Sequence, residues 1–398
     1  VKRLGSQSEI AREFARDNSQ RLWKQLVLDD KSASPRAASN RSGWLPMLGW
    51  ALIAAAIVKI PALFGKSLET DFDFYARNVS ILGLAGVVGY LLWRHQASVR
   101  YVIAAVASLA LLATAANLYP LATEGDALPM TALHVPVVMW LVIGLAYATY
   151  RWRRTEARMD YVRFTGEWVI YMVLIQTASI ILLGIIAVVP TFVGLDPGPF
   201  MAEWLIPGGA AAAAVVATWL VEAKKSVIEN MAPVLARIFT PLFTVAFLAL
   251  FVVVLVSGNL ANLDRDLLIA CDAILVVAVG IVLYNLTARG SGEKAGWFDW
   301  LQLALIASAL ALDAIALTNI LVRIGDGWTF NRTVVLGANI ILLVNLAITA
   351  WLFVKLLRGK PAVPPAIERW QTSLLPVYGA WAMVVILVLP PVFGLTSG

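Results

Sequence analysis

Cysteine is almost missing from this chain: Cys271 is the one thiol in 398 residues, and it lies in an apolar run. That excludes an intrachain disulfide framework and a cysteine-based zinc site, and leaves Cys271 as a small packing residue. Histidine is nearly as scarce, with only His95 and His134. No His-Glu-x-x-His, Gly-x-Ser-x-Gly or phosphate-loop pattern occurs, and Gly290-Ser-Gly292 reads as an ordinary turn. Charge is thin too, at 14% of residues against 60% hydrophobic. The stretches between apolar runs are too short to hold a soluble catalytic domain, so neither an enzyme nor a resident cofactor or metal is expected.

What abounds is apolar length. A mean hydropathy of +0.79 over this many residues makes the bilayer the solvent. A helix needs roughly 20 apolar residues to cross a hydrocarbon core of about 30 Å. Eleven stretches meet that need, at 44–64, 74–93, 99–119, 132–150, 168–193, 204–221, 238–257, 266–287, 300–323, 333–357 and 375–393. The expected fold is therefore an all-α polytopic transmembrane bundle over residues 44–398. Residues 1–43 are polar: Ser8 to Leu28 reads as an amphipathic helix with Ile10, Phe14, Leu22 and Leu26 on one stripe, flanked by Arg12, Arg16, Arg21 and Lys24. It suits an anionic membrane surface or the protein's own cytoplasmic loops, and 32–42 is a linker. The first residue is Val1 rather than Met, which leaves open a product trimmed or cut from a longer one, and no signal-peptide pattern opens the sequence.

Lysine and arginine provide a separate test of the count, because they concentrate in cytoplasmic loops. With the N-terminus inside, 25 of the 31 fall on the inner side; Lys66, Arg77, Arg265, Arg323 and Arg332 fall outside, and Lys59 lies within the first span. The C-terminus is then outside. The net charge of +6 is spread beside the apolar runs, so the implied partners are anionic lipid headgroups and not nucleic acid. Close helix contacts are expected at Gly83/Gly86/Gly89, at Gly208/Gly209 and at Ala304/Ala307/Ala311.

Ionisable groups at membrane depth are costly and mark candidate sites. Asp313 is the deepest, about 15 Å from the outer end of its span. It is expected to be protonated, bonded to an amide such as Asn339 or Asn345, or lining water. With Asn319 it makes either a helix clamp or a polar path. Lys59 and Asp272 share a depth and are expected to form a buried ion pair. Glu167, Glu203 and Glu222 fall at span ends, within reach of water. His95 and His134 fall at opposite membrane ends, so they cannot share a metal.

The most specific stretch is the outer hinge Leu321–Gly337, in which Arg323 closes one span, Gly325 and Gly327 permit a reversal, Trp328 suits a headgroup anchor, and Asn331 and Arg332 open the next span. Arginines on the outer face run against the trend and point to a headgroup site or a loop tie. Arg77-Asn78 through Gly83 is weakly similar to Asn331-Arg332 through Gly337, a likeness that chance explains in apolar sequence.

The hinge, with Tyr284-Asn285-Leu286-Thr287-Ala288-Arg289-Gly290 before it, resembles a bacterial family of multi-pass membrane proteins catalogued as a domain of unknown function, number four-one-five-three. The resemblance covers about 207–394. It implies the bacterial inner membrane and a helical fold, and no reaction. Two readings of function follow from the residues: a transport or channel-like protein with a polar path through Asp313, Asn319, Asn339 and Asn345, or a non-catalytic scaffold or accessory subunit that contacts a membrane-protein partner or a second copy of itself.

Overall fold

The computed structural model describes residues 43–121, 125–188, 196–223, 231–256, 265–288, 296–325, 327–359 and 363–393. The expected amphipathic helix at Ser8–Leu28 lies outside them. Contacts divide the chain into two units, 1–49 and 50–398; of the first, only 43–49 are described, and they begin the first helix.

All regular structure among the described residues is helical. In chain order the helices are α1 (Trp44–Lys59, running into a 3-10 turn Ile60–Phe64), α2 (Phe72–Arg94), α3 (Val99–Asn117), α4 (Ala127–Ala148), α5 (Thr155–Val188), α6 (Gly198–Ala223), α7 (Met231–Val256), α8 (Arg265–Ala288), α9 (Trp297–Gly325), α10 (Phe330–Leu357), α11 (Val363–Ser373) and α12 (Leu375–Met383, continuing through a π-turn Val384–Val388 into Leu389–Phe393). Nine stretches are long and apolar enough to cross a membrane, α11 and α12 forming one of them, and α7 and α8 add shorter apolar stretches. The chain is an integral membrane protein of the polytopic helical class, with a helix at each of the eleven expected places.

Several boundaries move, for physical reasons. α5 begins at Thr155, thirteen residues before the expected span. Its 34 residues reach about 51 Å, more than the hydrocarbon core needs, so Arg158 and Arg163 belong to helix turns and not to a loop. Pro136, placed by the sequence near a span start, is interior to α4 because that helix starts at Ala127. The alanine stripe 304/307/311 is not the buried face of α9: Ala307 is exposed, and the buried stripe runs through Leu305, Ala309, Leu312 and Ala316. Alanine is tolerated against lipid and protein alike, so its spacing does not choose a face.

One buried cluster joins α1 through α6, and a second joins α5 with α7 through α12. Gly86 and Gly89 let α2 approach Ala54 and Trp50 of α1 so closely that a Cβ would collide with either, as small-residue packing in membranes requires. Gly83 faces open space.

The helix ends sort into two sets. At the end bearing the 327–329 hinge, Leu121 and Ala127 beside α4, Phe330 and Val334 of α10, and Val385 and Leu389 of α12 form one cluster. There too, Arg77 Nη1 donates to the Tyr119 carbonyl at 3.1 Å and Asn78 exchanges bonds with Asn117 at 2.8 and 2.9 Å. At the opposite end His95 lies 3.3 Å from Glu222, and Arg158 donates to the Thr372 carbonyl at 3.1 Å. Each pair joins ends that alternating passage of the chain puts on the same side.

Two π-turns each give up a carbonyl to a neighbour. The loosened ladder of Met201–Leu205 in α6 leaves the Glu203 carbonyl to accept from Lys59 Nζ, and that of Val384–Val388 leaves the Leu387 carbonyl to accept from Tyr119 Oη at 3.0 Å. A buried carbonyl released from its own helix needs such a donor.

Candidate functional site

The polar interior lies in the second cluster. α9 and α10 form a hairpin closed by the hinge, and both present amides to the bundle: Asp313, Asn319 and Asn345 have no solvent exposure and Asn339 has 1%. These four residues do not form a single polar path. Asn339 Nδ2 donates to Asp272 Oδ1 of α8 at 3.0 Å. Asn319 Nδ2 donates to its own helix at the Ile315 carbonyl. Asn345 belongs to a separate knot: its Nδ2 donates to Tyr378 Oη at 2.8 Å, and its Oδ1 accepts from Gln371 at 2.9 Å, Thr349 at 3.1 Å and Trp370 at 3.2 Å. That knot pins α11 and α12 to α10. Sequence reading missed Gln371 and Trp370, since α11 reads as a polar connection and its register against α10 is a tertiary fact.

Asp313 is different. Neither of its carboxylate oxygens has a hydrogen-bond partner among the described residues, and Asp272 lies within electrostatic range of it. It sits about 18 Å from the hinge end of α9, near mid-bundle. The Oδ1 of Asn339 is buried without a partner as well. Asp272, Asn339 and Asp313, from three successive helices, therefore surround one buried polar spot with more acceptors than donors.

Lys59 and Asp272 are not a pair. Lys59 donates to the Glu203 carbonyl, lies 3.4 Å from Glu203 Oε2 and stands 4.5 Å over the Trp204 ring. Depth along the membrane matched Lys59 to Asp272, but depth says nothing of azimuth, and α1 faces α6. Glu222, placed by the sequence within reach of water, is buried against His95, and Glu167 is 6% exposed. His134 Nδ1 is 2.7 Å from the Met130 carbonyl in its own helix, well away from His95.

At the hinge, Arg332 Nη1 donates to the Arg323 carbonyl at 2.5 Å and the Gly327 carbonyl at 2.6 Å. Gly327 takes φ +136°, which a side chain rarely adopts, and Thr329 caps α10 through the Arg332 amide. Trp328 is exposed and Asn331 is half-buried in the first turn of α10. Arg77 and Arg332 thus share a task that their faint sequence likeness hinted at: each neutralises open carbonyls at the C-terminal end of a neighbouring helix.

A cavity of about 740 Å³ lies between α4, α5, α7, α8, α10 and α12. Its wall includes Pro136, Gly280 and Trp381 and none of Asp313, Asp272, Asn319, Asn339 and Asn345. Among the described residues no group of three histidine, cysteine or carboxylate side chains is placed to hold a metal.

A comparison with protein-family models, curated proteins and solved structures finds no match to this chain.

Proposed function

We propose that this chain is a transporter of the bacterial inner membrane, kin to the family its hinge resembles, with the N-terminus in the cytoplasm and the C-terminus outside, and that Asp313 is the carboxyl at which a proton or cation is exchanged. One observation supports the reading: a carboxyl with no exposure and no hydrogen-bond partner sits beside a second membrane-depth carboxylate. A bare charge there has nothing to offset its desolvation, so the group must hold a proton or a cation. Asp272 and Asn339 then position the incoming ion. The test is ion flux in vesicles reconstituted with the full chain, read with an internal pH dye under an imposed potassium diffusion potential. Flux above that of empty vesicles and its loss in Asp313→Asn are expected. No flux in the unaltered protein, or equal flux in the variant, overturns the reading for protons, and the same assay with sodium tests the cation.

A second reading, a non-catalytic scaffold in a membrane complex, draws on the fact that the large cavity does not reach Asp313. Purification from the native membrane decides it: a stoichiometric membrane-protein partner retained by the Asp313→Asn protein favours the scaffold. In either reading the anionic headgroups beside the basic loops are lipid partners, and catalysis has no part.

A further inference from the structure

The cavity beside the polar spot has properties of its own. Its volume falls within the roughly 300–1,000 Å³ of small-molecule sites. Along α8 it runs from Val276 to Asn285, about 14 Å of helix, so it is an elongated slot. α5 and α8 meet closely where Gly166 lies under the Tyr284 ring. Beyond that contact Val169 of α5 and Val276 and Val277 of α8 are both cavity wall and exposed surface, so the slot opens sideways at membrane depth, where the neighbouring molecules are lipid chains. No lysine, arginine, aspartate or glutamate lines it. Two buried polar atoms in its wall have no hydrogen-bond partner, the donor Trp381 Nε1 and the acceptor Asn285 Oδ1. Unpaired polar atoms in native interiors call for a ligand or water, and an apolar slot open to lipid favours an amphiphile.

We infer that this slot binds the end of an uncharged long-chain lipid bearing a hydroxyl or carbonyl oxygen. The chain lies along the apolar walls of α5 and α8. Its oxygen accepts from Trp381 Nε1, and a hydroxyl in addition donates to Asn285 Oδ1. A charged headgroup is excluded because the wall offers no counter-charge and burial would strip its water. The site stands on the slot alone and holds whether or not the protein transports anything.

The experiment uses the full chain in phosphatidylcholine nanodiscs and a hexadecanol probe carrying a diazirine on its chain. Saturable photolabelling on α5 or α8 peptides is expected, competed by hexadecanol and at least tenfold less well by hexadecyl phosphate or hexadecyltrimethylammonium. Gly280 faces the slot, and a Cβ there meets nothing within 4 Å, so Gly280→Phe fills the slot and should abolish labelling without lowering the melting temperature. Trp381→Phe keeps the ring and removes the N–H, and should weaken labelling about two- to tenfold. Val276→Trp, at the mouth, serves as a second block should Gly280→Phe misfold. Absence of saturable labelling in the unaltered protein, undiminished labelling in a folded blocking variant, or equal competition by the charged amphiphiles overturns the inference.

Discussion

The unpartnered carboxyl of Asp313 carries a desolvation cost that no scaffold requires. Asp313→Leu removes it with little change in size, and is expected to stabilise the detergent-solubilised protein by about 1–3 kcal/mol in thermal melts, the usual cost of leaving a buried polar group unsatisfied, while abolishing any ion flux. Lys59 is the converse case, a buried-edge cation that is fully engaged. A double-mutant cycle separates its true partner from the one depth matching selects: Lys59→Met and Glu203→Gln should couple by 0.5 kcal/mol or more, roughly the threshold for residues in contact, whereas Lys59→Met and Asp272→Asn should add. Both were legible as costly groups, since ionisable residues in apolar runs stand out in any sequence. Their partners were not, because a helix crossing a membrane shows its neighbours an azimuth that hydropathy does not encode.

Among elements, the α9–α10 hairpin depends on a short connection whose carbonyls would otherwise lack donors. Replacing Arg332 with Leu removes both of its bonds, and a loss of about 1–2 kcal/mol is expected, less than a buried charged bond provides because the hinge is partly solvated. Faster proteolysis within 325–329 would report the same loss. The α1–α2 connection gives a pH test. Lys66 Nζ lies 2.5 Å from Asp71 Oδ1, and that bond, with a second from the Ser67 amide, holds the Asp71 carboxyl below the usual carboxylate range. A lowered carboxylate stabilises above its unfolded value, and the contribution fades as pH falls through the lowered one. Carboxyl NMR of labelled protein should show Asp71 titrating on the acid side of ordinary aspartate, and Lys66→Met should return it upward. The glycines and arginines of these connections were readable from composition, and the hinge as a turn was readable from Gly325 and Gly327. That Arg332 binds carbonyls and not a headgroup depended on where α9 ends in space.

For the whole molecule, alternating passage makes a topological prediction. In a Cys271→Ala background, Ser67→Cys and Thr329→Cys should react with an impermeant maleimide from one side of the membrane, and Arg153→Cys only from the other. Reaction of Ser67→Cys and Arg153→Cys from the same side would break the assignment. Apolar run length and the scarcity of charge determined from sequence alone that this is a membrane-spanning helical bundle with helices at eleven places, because a backbone in lipid must satisfy its own hydrogen bonds and only sufficiently long apolar helices do so here. Which face each helix turns inward, which polar residue answers another, and the presence of a slot beside Trp381 were decided by tertiary structure. In a bilayer the lipid-facing and protein-facing sides of a helix are equally apolar, so the periodic signal that marks a core in water is absent, and only packing in three dimensions tells them apart.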